Sequence, residues 1–214
     1  MKYTFQSYGG SGKIGNMVAY RILGRNVLRE WRPTISNPNT SAQQLQRAKF
    51  KKIMQLCARC KAGVNIGMVP AAKIAKLFPY NIFLQENLQA LTGSTPSNLS
   101  LTLNKLKFSK GGMIGVGFSN SVTYNSGQAT VVIDENNLDI EGVSTSDKIY
   151  LLAYCADLNM FNISQAITRS QDRVSVRIPS LWDGNQVSFY GIVVSADGKD
   201  AAETVFIRTM EIGD

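Results

Sequence analysis

Histidine is absent from the 214 residues of the chain. Histidine is the commonest general base, a frequent metal ligand and the usual partner of serine and cysteine nucleophiles. Without it, catalysis would need a carboxylate pair or a Ser-Lys couple, and the sequence contains no readable motif for either. The sequence therefore predicts that the protein is not an enzyme and has no catalytic, cofactor-binding or metal-binding residues.

Cysteine is also scarce. Cys57, Cys60 and Cys155 are an odd number, so they cannot all pair within one chain, and we expect no disulfide framework. Cys57 and Cys60 form a C-x-x-C pattern, but a redox motif needs an exposed thiol at a helix N-terminus, and zinc needs a fourth ligand. Both cysteines fall on the apolar stripe of a predicted helix, so the pattern predicts buried structural thiols.

Long apolar runs are missing from the chain. No stretch approaches the ~20 apolar residues that cross a bilayer, and residues 1–9 contain no apolar run of the length found in signal peptides. We therefore expect no membrane partner, and the odd number of cysteines favours synthesis in a reducing cytoplasm.

Acidic residues are few in the first part of the chain. Residues 1–91 contain 14 lysines and arginines against two acids, for a net charge of +12. Residues 92–214 contain nine basic and 13 acidic residues, for a net charge of −4. This asymmetry indicates either a basic face for nucleic acid or another acidic surface, or head-to-tail stacking of identical subunits.

A polar, turn-rich segment at residues 93–98 divides the chain into two predicted domains, residues 1–93 and 98–214. The first contains predicted strands at 3–8, 17–23 and 27–31, a hairpin turn at 24–26, and helices at 42–62, 70–78 and 80–91. The second contains predicted strands at 99–103, 113–118, 129–133, 148–155, 173–178, 187–194 and 204–212, with Trp182 in the core. The predicted fold class is α+β, a basic N-terminal strand and helix region followed by an antiparallel immunoglobulin- or fibronectin-like β-sandwich.

The segment Gly-Ser-Gly-Lys-Ile-Gly at residues 10–15 matches the G-x-G-x-x-G pattern of dinucleotide-binding loops. Such a site needs a helix N-terminus directly after the glycines, to bind the phosphates. The residues that follow have the pattern of a strand instead. The segment therefore predicts a flexible or tightly turned loop without a nucleotide.

Basic residues cluster on the predicted N-terminal strands, among Tyr20 and Trp31, and again on the first predicted helix. Such arginines would lie along phosphates while aromatic rings stack on bases or on a partner's side chains; the alternative is an ordinary solvated surface. The candidate contact residues for a partner or nucleic acid are Arg21, Arg25, Arg29, Trp31, Arg32, Arg47, Lys51 and Lys52.

Several segments resemble an uncharacterised family of bacterial and phage-borne proteins. They are residues 9–18 (GGSGKIGNMV), residues 24–29 (GRNVLR), the block N-P-N-T-x-x-Q-x-x-Q-R-x-x-F at residues 37–50, and residues 83–87 and 195–199. The family has no established activity, so the resemblance implies no functional residues. Its phage associations imply a virion component made in the bacterial cytoplasm.

Two functions are consistent with these observations. The first is a non-enzymatic structural protein of a phage-like virion, a capsid accessory, head-to-tail ring or tail component, that contacts identical subunits and other virion proteins through its N-terminal region. The second is a nucleic-acid-binding protein that uses the basic N-terminal region. Neither requires a cofactor.

Overall fold

The structure is a computed structural model that describes residues 11–34 and 37–213. The predicted strand at residues 3–8 lies outside the described residues. The chain forms two compact units that divide between Thr40 and Ser41, whereas the sequence predicted domains at 1–93 and 98–214. The first unit contains a small sheet, and the second contains helices and two antiparallel sheets that pack on a shared apolar cluster, called the sandwich below.

The N-terminal unit contains a three-stranded antiparallel meander. Its strands are β1 (Gly12–Ile14), β2 (Met17–Ile22) and β3 (Arg25–Glu30), in the order β1-β2-β3. The predicted loop at residues 10–15 is thus partly a strand, and β2, not a helix, follows the glycines.

The turn between β2 and β3 differs from its predicted position at residues 24–26. It consists of Leu23 and Gly24, whose φ angles are 47° and 75°. Two consecutive positive φ angles are what a tight two-residue hairpin requires. Arg25 therefore belongs to β3 and pairs with Ile22.

Helices begin the second unit. They are α1 (Ser41–Arg59), α2 (Lys61–Gly67), α3 (Val69–Ala75) and α4 (Pro79–Asn87). The helix predicted at 42–62 is confirmed as α1, and its predicted apolar stripe is largely buried, with Ile53 fully enclosed. The helix predicted at 70–78 ends earlier, because Lys76 adopts a left-handed conformation with φ 53°. Pro79 begins α4, one residue before the predicted start, and its missing N–H costs nothing at the first position of a helix.

A short two-stranded ladder follows the helices. Its strands are β4 (Leu91–Thr92) and β5 (Ser100–Leu101). The predicted strand at 99–103 is therefore mostly irregular, and residues 103–105 form a single 3₁₀ turn.

The remainder forms two antiparallel sheets. Their strands are β6 (Gly117–Asn125), β7 (Gln128–Glu135), β8 (Lys148–Cys155), β9 (Met160–Ile163), β10 (Ile167–Thr168), β11 (Arg173–Arg177), β12 (Gln186–Val194) and β13 (Val205–Glu211). One sheet has the order β11-β7-β6; the other has the order β10-β8-β12-β13, with β9 also paired to β8. The predicted mixture of helices with antiparallel sheets is confirmed.

The larger sheet lies between the helices and the smaller sheet, so both of its faces are buried. On one face, Leu152 and Tyr154 pack in the same apolar cluster as Ile53 of α1. On the other face, Leu151 and Ala153 pack in a cluster with residues of β7 and β11. Burial on both faces explains why β8 and β12 are near-continuous apolar runs in the sequence.

Candidate interaction surface

The N-terminal sheet has no core of its own. No residue between positions 11 and 34 is buried, and Ile14 and Met17 are 65% and 48% exposed. A small sheet normally needs an apolar face packed against something for independent stability. The side chains of this sheet are therefore accessible to a partner.

Strand register assigns each side chain of this sheet to one of two faces, because residues paired across antiparallel strands point to the same side. Lys13 pairs with Val18, which pairs with Arg29. Tyr20 pairs with Val27, on the same face as Arg25 and Arg29. We call this side the basic–aromatic face and define it by Lys13, Tyr20, Arg25, Arg29 and Trp31.

Two cation–π contacts organise the basic–aromatic face. The Nζ atom of Lys13 lies 4.8 Å from the centroid of the Trp31 ring. The Cζ atom of Arg29 lies 5.9 Å from the centroid of the Tyr20 ring. Both distances are within the range in which a cation is attracted to an aromatic ring. The contacts keep positive charge and flat apolar surface side by side on one face.

The charge of this face is not neutralised within the described part of the chain. The ion pairs found in residues 11–34 and 37–213 include none with Lys13, Arg25 or Arg29. Glu30 pairs with Met17 across the strands and so lies on the opposite face. The basic–aromatic face is thus suited to an acidic or aromatic partner.

The predicted contact residues of the N-terminal region do not form one cluster. Arg25, Arg29 and Trp31 share the basic–aromatic face. Arg21 pairs with Asn26 and lies on the other face, while Arg32 is exposed after the end of β3. The sequence pattern does not single out Lys13, because Lys13 lies within the glycine-rich segment at residues 10–15.

The predicted contact residues on α1 lie in the second unit. Arg47 and Lys51 are exposed and one helical turn apart. Lys52 is half-buried, and its ammonium donates a hydrogen bond to the carbonyl oxygen of Leu99. Lys52 therefore ties α1 to the loop before β5, which makes its ammonium less available to a partner.

The C-x-x-C pair is enclosed by the helices, as the sequence predicted. Cys57 is 6% exposed and Cys60 is fully buried. Burial raises the pKa of the Cys57 thiol, and burial followed by the nearby Cys57 raises the pKa of Cys60. Raised pKa values keep both groups as thiols and oppose redox or metal chemistry. No group of three or more potential metal ligands occurs among the residues that the structure describes.

An open groove of about 540 Å³ lies at one end of the sandwich, between the β6–β7 turn and residues 177–180. Among the described residues that line it, Arg177 is the charged side chain, and Tyr124 contributes a phenol. The phenol donates a 3.4 Å hydrogen bond to Asp183. The lining does not bring together an acid and a base, and the groove supports no particular chemistry.

Within residues 11–34 and 37–213, no helix is both long and apolar enough to cross a membrane. The model of a family of unknown function, DUF6266, matches residues 9–208. The chain is therefore a member of that family, which agrees with the resemblance to an uncharacterised family in the sequence. No curated protein and no solved structure matches the chain.

Proposed function

We propose that the protein is a non-enzymatic structural protein of a phage-like virion, a capsid accessory, head-to-tail ring or tail component, that assembles in many copies through its N-terminal sheet. The observation that carries this proposal is the sheet β1-β2-β3, which has no buried residue between positions 11 and 34. Contacts with identical subunits and other virion proteins would supply the burial that the sheet lacks.

The geometry of the sheet supports an assembly role in a second way. Among the described residues, β1 and β3 are the outer strands of this sheet, and the edge of a sheet presents backbone N–H and C=O groups that can pair with another chain. A neighbouring subunit could extend the sheet by adding a strand, a common mode of assembly between protein subunits.

The sandwich would serve as the rigid body in such an assembly, and we propose that it is of the immunoglobulin or fibronectin type. Its strand order supports this. The first, second and sixth of its eight strands (β6, β7 and β11) form one sheet, while the third, seventh and eighth (β8, β12 and β13) form the other, together with β9 and β10 beside β8. In immunoglobulin-like domains, too, the first two strands share a sheet with a later strand, the third strand lies in the sheet of the last two, and variable-type domains add strands to that second sheet.

The virion proposal is tested on purified particles. Particles from a bacterial strain that carries the gene are imaged by electron microscopy, and their peptides are identified by mass spectrometry. We expect peptides of this protein in stoichiometric amounts, and density for it at repeated positions. A variant lacking residues 1–40 should express and fold but be lost from the particles. Absence of the full chain from every particle would contradict the proposal.

A second candidate function is nucleic-acid binding, favoured by the basic–aromatic face. Aromatic rings that stack on bases, next to cations that contact phosphates, are the recurring arrangement in proteins that bind single strands. Lys13, Arg25 and Arg29, which form no ion pair within residues 11–34 and 37–213, provide the cations, and Tyr20 and Trp31 provide the rings.

Fluorescence anisotropy with a labelled single-stranded oligonucleotide tests this second function. We expect binding at low salt that weakens as salt rises, because phosphate contacts release counterions. Arg25→Ala and Arg29→Ala should each reduce the salt slope by ~0.7, and Trp31→Ala should weaken binding by ~1–3 kcal/mol. Arg177→Ala removes an equal charge from the sandwich and serves as the matched control. No binding at low salt, or equal losses in the control, would remove this candidate.

A further inference from the structure

The N-terminal sheet has a second face with a different composition. Ile14 pairs with Met17, Met17 with Glu30, and Ala19 with Leu28, so these side chains lie opposite the basic–aromatic face. We call this side the apolar face and define it by Ile14, Met17, Ala19 and Leu28, with Arg21 and Glu30 at its two ends. The basic–aromatic face also carries apolar side chains, those of Val18, Ile22 and Val27, but there the charged side chains are all positive. A group of exposed apolar side chains is typical of an interaction site.

We propose that the apolar face joins two copies of the chain, sheet against sheet, in a two-fold symmetric dimer. The proposal rests on the assembly role proposed above and names the first contact of that assembly. Two sheets that pack face to face bury their apolar side chains in a layer about 10 Å thick. Exposed Ile14 and Met17 would then gain the packing that a single copy does not provide.

The charges at the ends of the apolar face argue for a second copy as the occupant. Arg21 and Glu30 lie on this one face, separated along the strands by four residue positions, or about 13 Å at ~3.3 Å per residue. Ala19 and Leu28 lie between them. When two identical sheets face each other with antiparallel strands about a central two-fold axis, the Arg21 end of each copy meets the Glu30 end of the other.

The basic–aromatic face cannot play the same role. Its charged side chains are all positive, so packing it against its own copy would bring like charges together, which costs several kcal/mol. It also carries no acid that could pair with them. A back-to-back dimer therefore leaves the basic–aromatic face of each copy exposed to a partner of different chemistry.

The dimer is tested with the full chain by sedimentation equilibrium and by light scattering during gel filtration, at low ionic strength. We expect a monomer–dimer equilibrium. Leu28→Lys places a charge at the centre of the apolar face and should shift the protein to monomer. Arg21→Glu and Glu30→Arg should each weaken the dimer on the order of tenfold, because each brings like charges together at both ends. The double variant Arg21→Glu/Glu30→Arg should restore the dimer.

Arg25→Glu is the matched control. It reverses the charge of an arginine on β3, the strand that also contains Leu28 and Glu30, but on the opposite face of the sheet. It should therefore leave the dimer dissociation constant unchanged. Circular dichroism and the unfolding curve should show that every variant keeps the folded second unit. A monomer at all concentrations, or a double variant as weak as the single ones, would overturn the inference. If the protein is found in particles but is a monomer in solution, the dimer is refuted and the virion role is not. If it is a dimer in solution but is absent from particles, the virion role is refuted and the dimer is not.

Discussion

Arg169 and Asp147 form an ion pair inside one end of the sandwich, with Nε of Arg169 3.2 Å from Oδ2 of Asp147. Arg169 is fully buried and Asp147 is 4% exposed. The guanidinium also donates hydrogen bonds to three backbone carbonyls, those of Ile114, Gly115 and Asn136. The carboxylate accepts from the backbone N–H groups of Ser144 and Ala196. One buried pair thus joins loops on both sheets.

Replacing Arg169 should strongly destabilise the folded protein. Arg169→Met leaves the Asp147 carboxylate buried without its cation and leaves backbone carbonyls without donors. We expect the free energy of unfolding to fall by about 3–5 kcal/mol, as for other buried pairs that lose one partner. Urea denaturation followed by circular dichroism measures it.

Arg173→Met is the matched control, since Arg173 is exposed and its ion pair with Asp172 spans 3.7 Å at the surface. A surface pair contributes about 0–1 kcal/mol. Similar losses in the two variants would mean that the buried network does not hold the loops together.

The sequence predicts the central strands well and the buried pair not at all. Strand β8 has the predicted bounds, because a short continuous apolar run that ends at a turn is typical of a buried strand. Strand β6 begins later than predicted. Its predecessors Met113 and Val116 pack into the core without joining the ladder. Arg169 lies in a polar segment, and its partners come from distant loops that only the folded chain brings together.

The residues that share a face of the N-terminal sheet are also only partly predictable from the sequence. The sequence correctly places basic and aromatic residues on neighbouring strands, but it groups Arg21 with Arg25 and Arg29. The two-residue turn pairs Ile22 with Arg25, which places Arg21 on the other face. Because side chains alternate along a strand, a shift of one residue exchanges the faces. The position of the turn therefore decides which residues share a face, and it is the feature that the sequence pattern defines least well.

Gly67 provides a test of how closely α2 packs against Phe108 and Ser109. A Cβ atom at Gly67 would overlap the carbonyl oxygen of Phe108 and would lie 2.6 Å from Cβ of Ser109. Gly67→Ala should therefore lower the free energy of unfolding by about 1–3 kcal/mol, as overpacking does, although alanine favours helices more than glycine does. Gly112→Ala is the control, since nothing lies within 4 Å of its Cβ position. If Gly67→Ala is as stable as wild type, α2 does not pack as described.

The turn between β12 and β13 contains a carboxylate with a lowered pKa. Hydrogen bonds from Lys199 and then from Ser195 lower the pKa of Asp197 from 3.8 to about 2. Because the folded state favours the charged form, the carboxylate stabilises the fold above pH 3.8, and this contribution disappears as the pH falls towards 2. Asp197→Asn should therefore be less stable than wild type near neutral pH and equal to it at the acid end.

An NMR titration of the side-chain carboxyl carbon checks this prediction directly, with a midpoint expected at about 2. Lys199→Met removes the ammonium whose Nζ lies 2.9 Å from Oδ2 of Asp197, and it should move the midpoint upward. A midpoint at the ordinary value in the wild-type chain would show that the turn does not hold these hydrogen bonds in solution.

The two tryptophans report on different parts of the molecule. Trp31 is 39% exposed beside Lys13, whereas Trp182 is 1% exposed in the sandwich core. The positive basic–aromatic face should attract iodide, so fluorescence of Trp182→Phe, which retains Trp31, should be quenched by iodide several-fold more strongly than that of Trp31→Phe. Trp182→Phe should fold, because among the described residues the Nε1 atom of Trp182 has no hydrogen-bond partner to lose.

The same two variants distinguish the faces of the N-terminal sheet. Dimerisation through the apolar face leaves Trp31 on the outside, so its quenching by iodide should not change between monomer and dimer concentrations. An acidic partner bound to the basic–aromatic face would cover Trp31 and protect it from iodide. Protection that grows with protein concentration alone would instead mean that copies meet through the basic–aromatic face, against the charge argument for back-to-back packing.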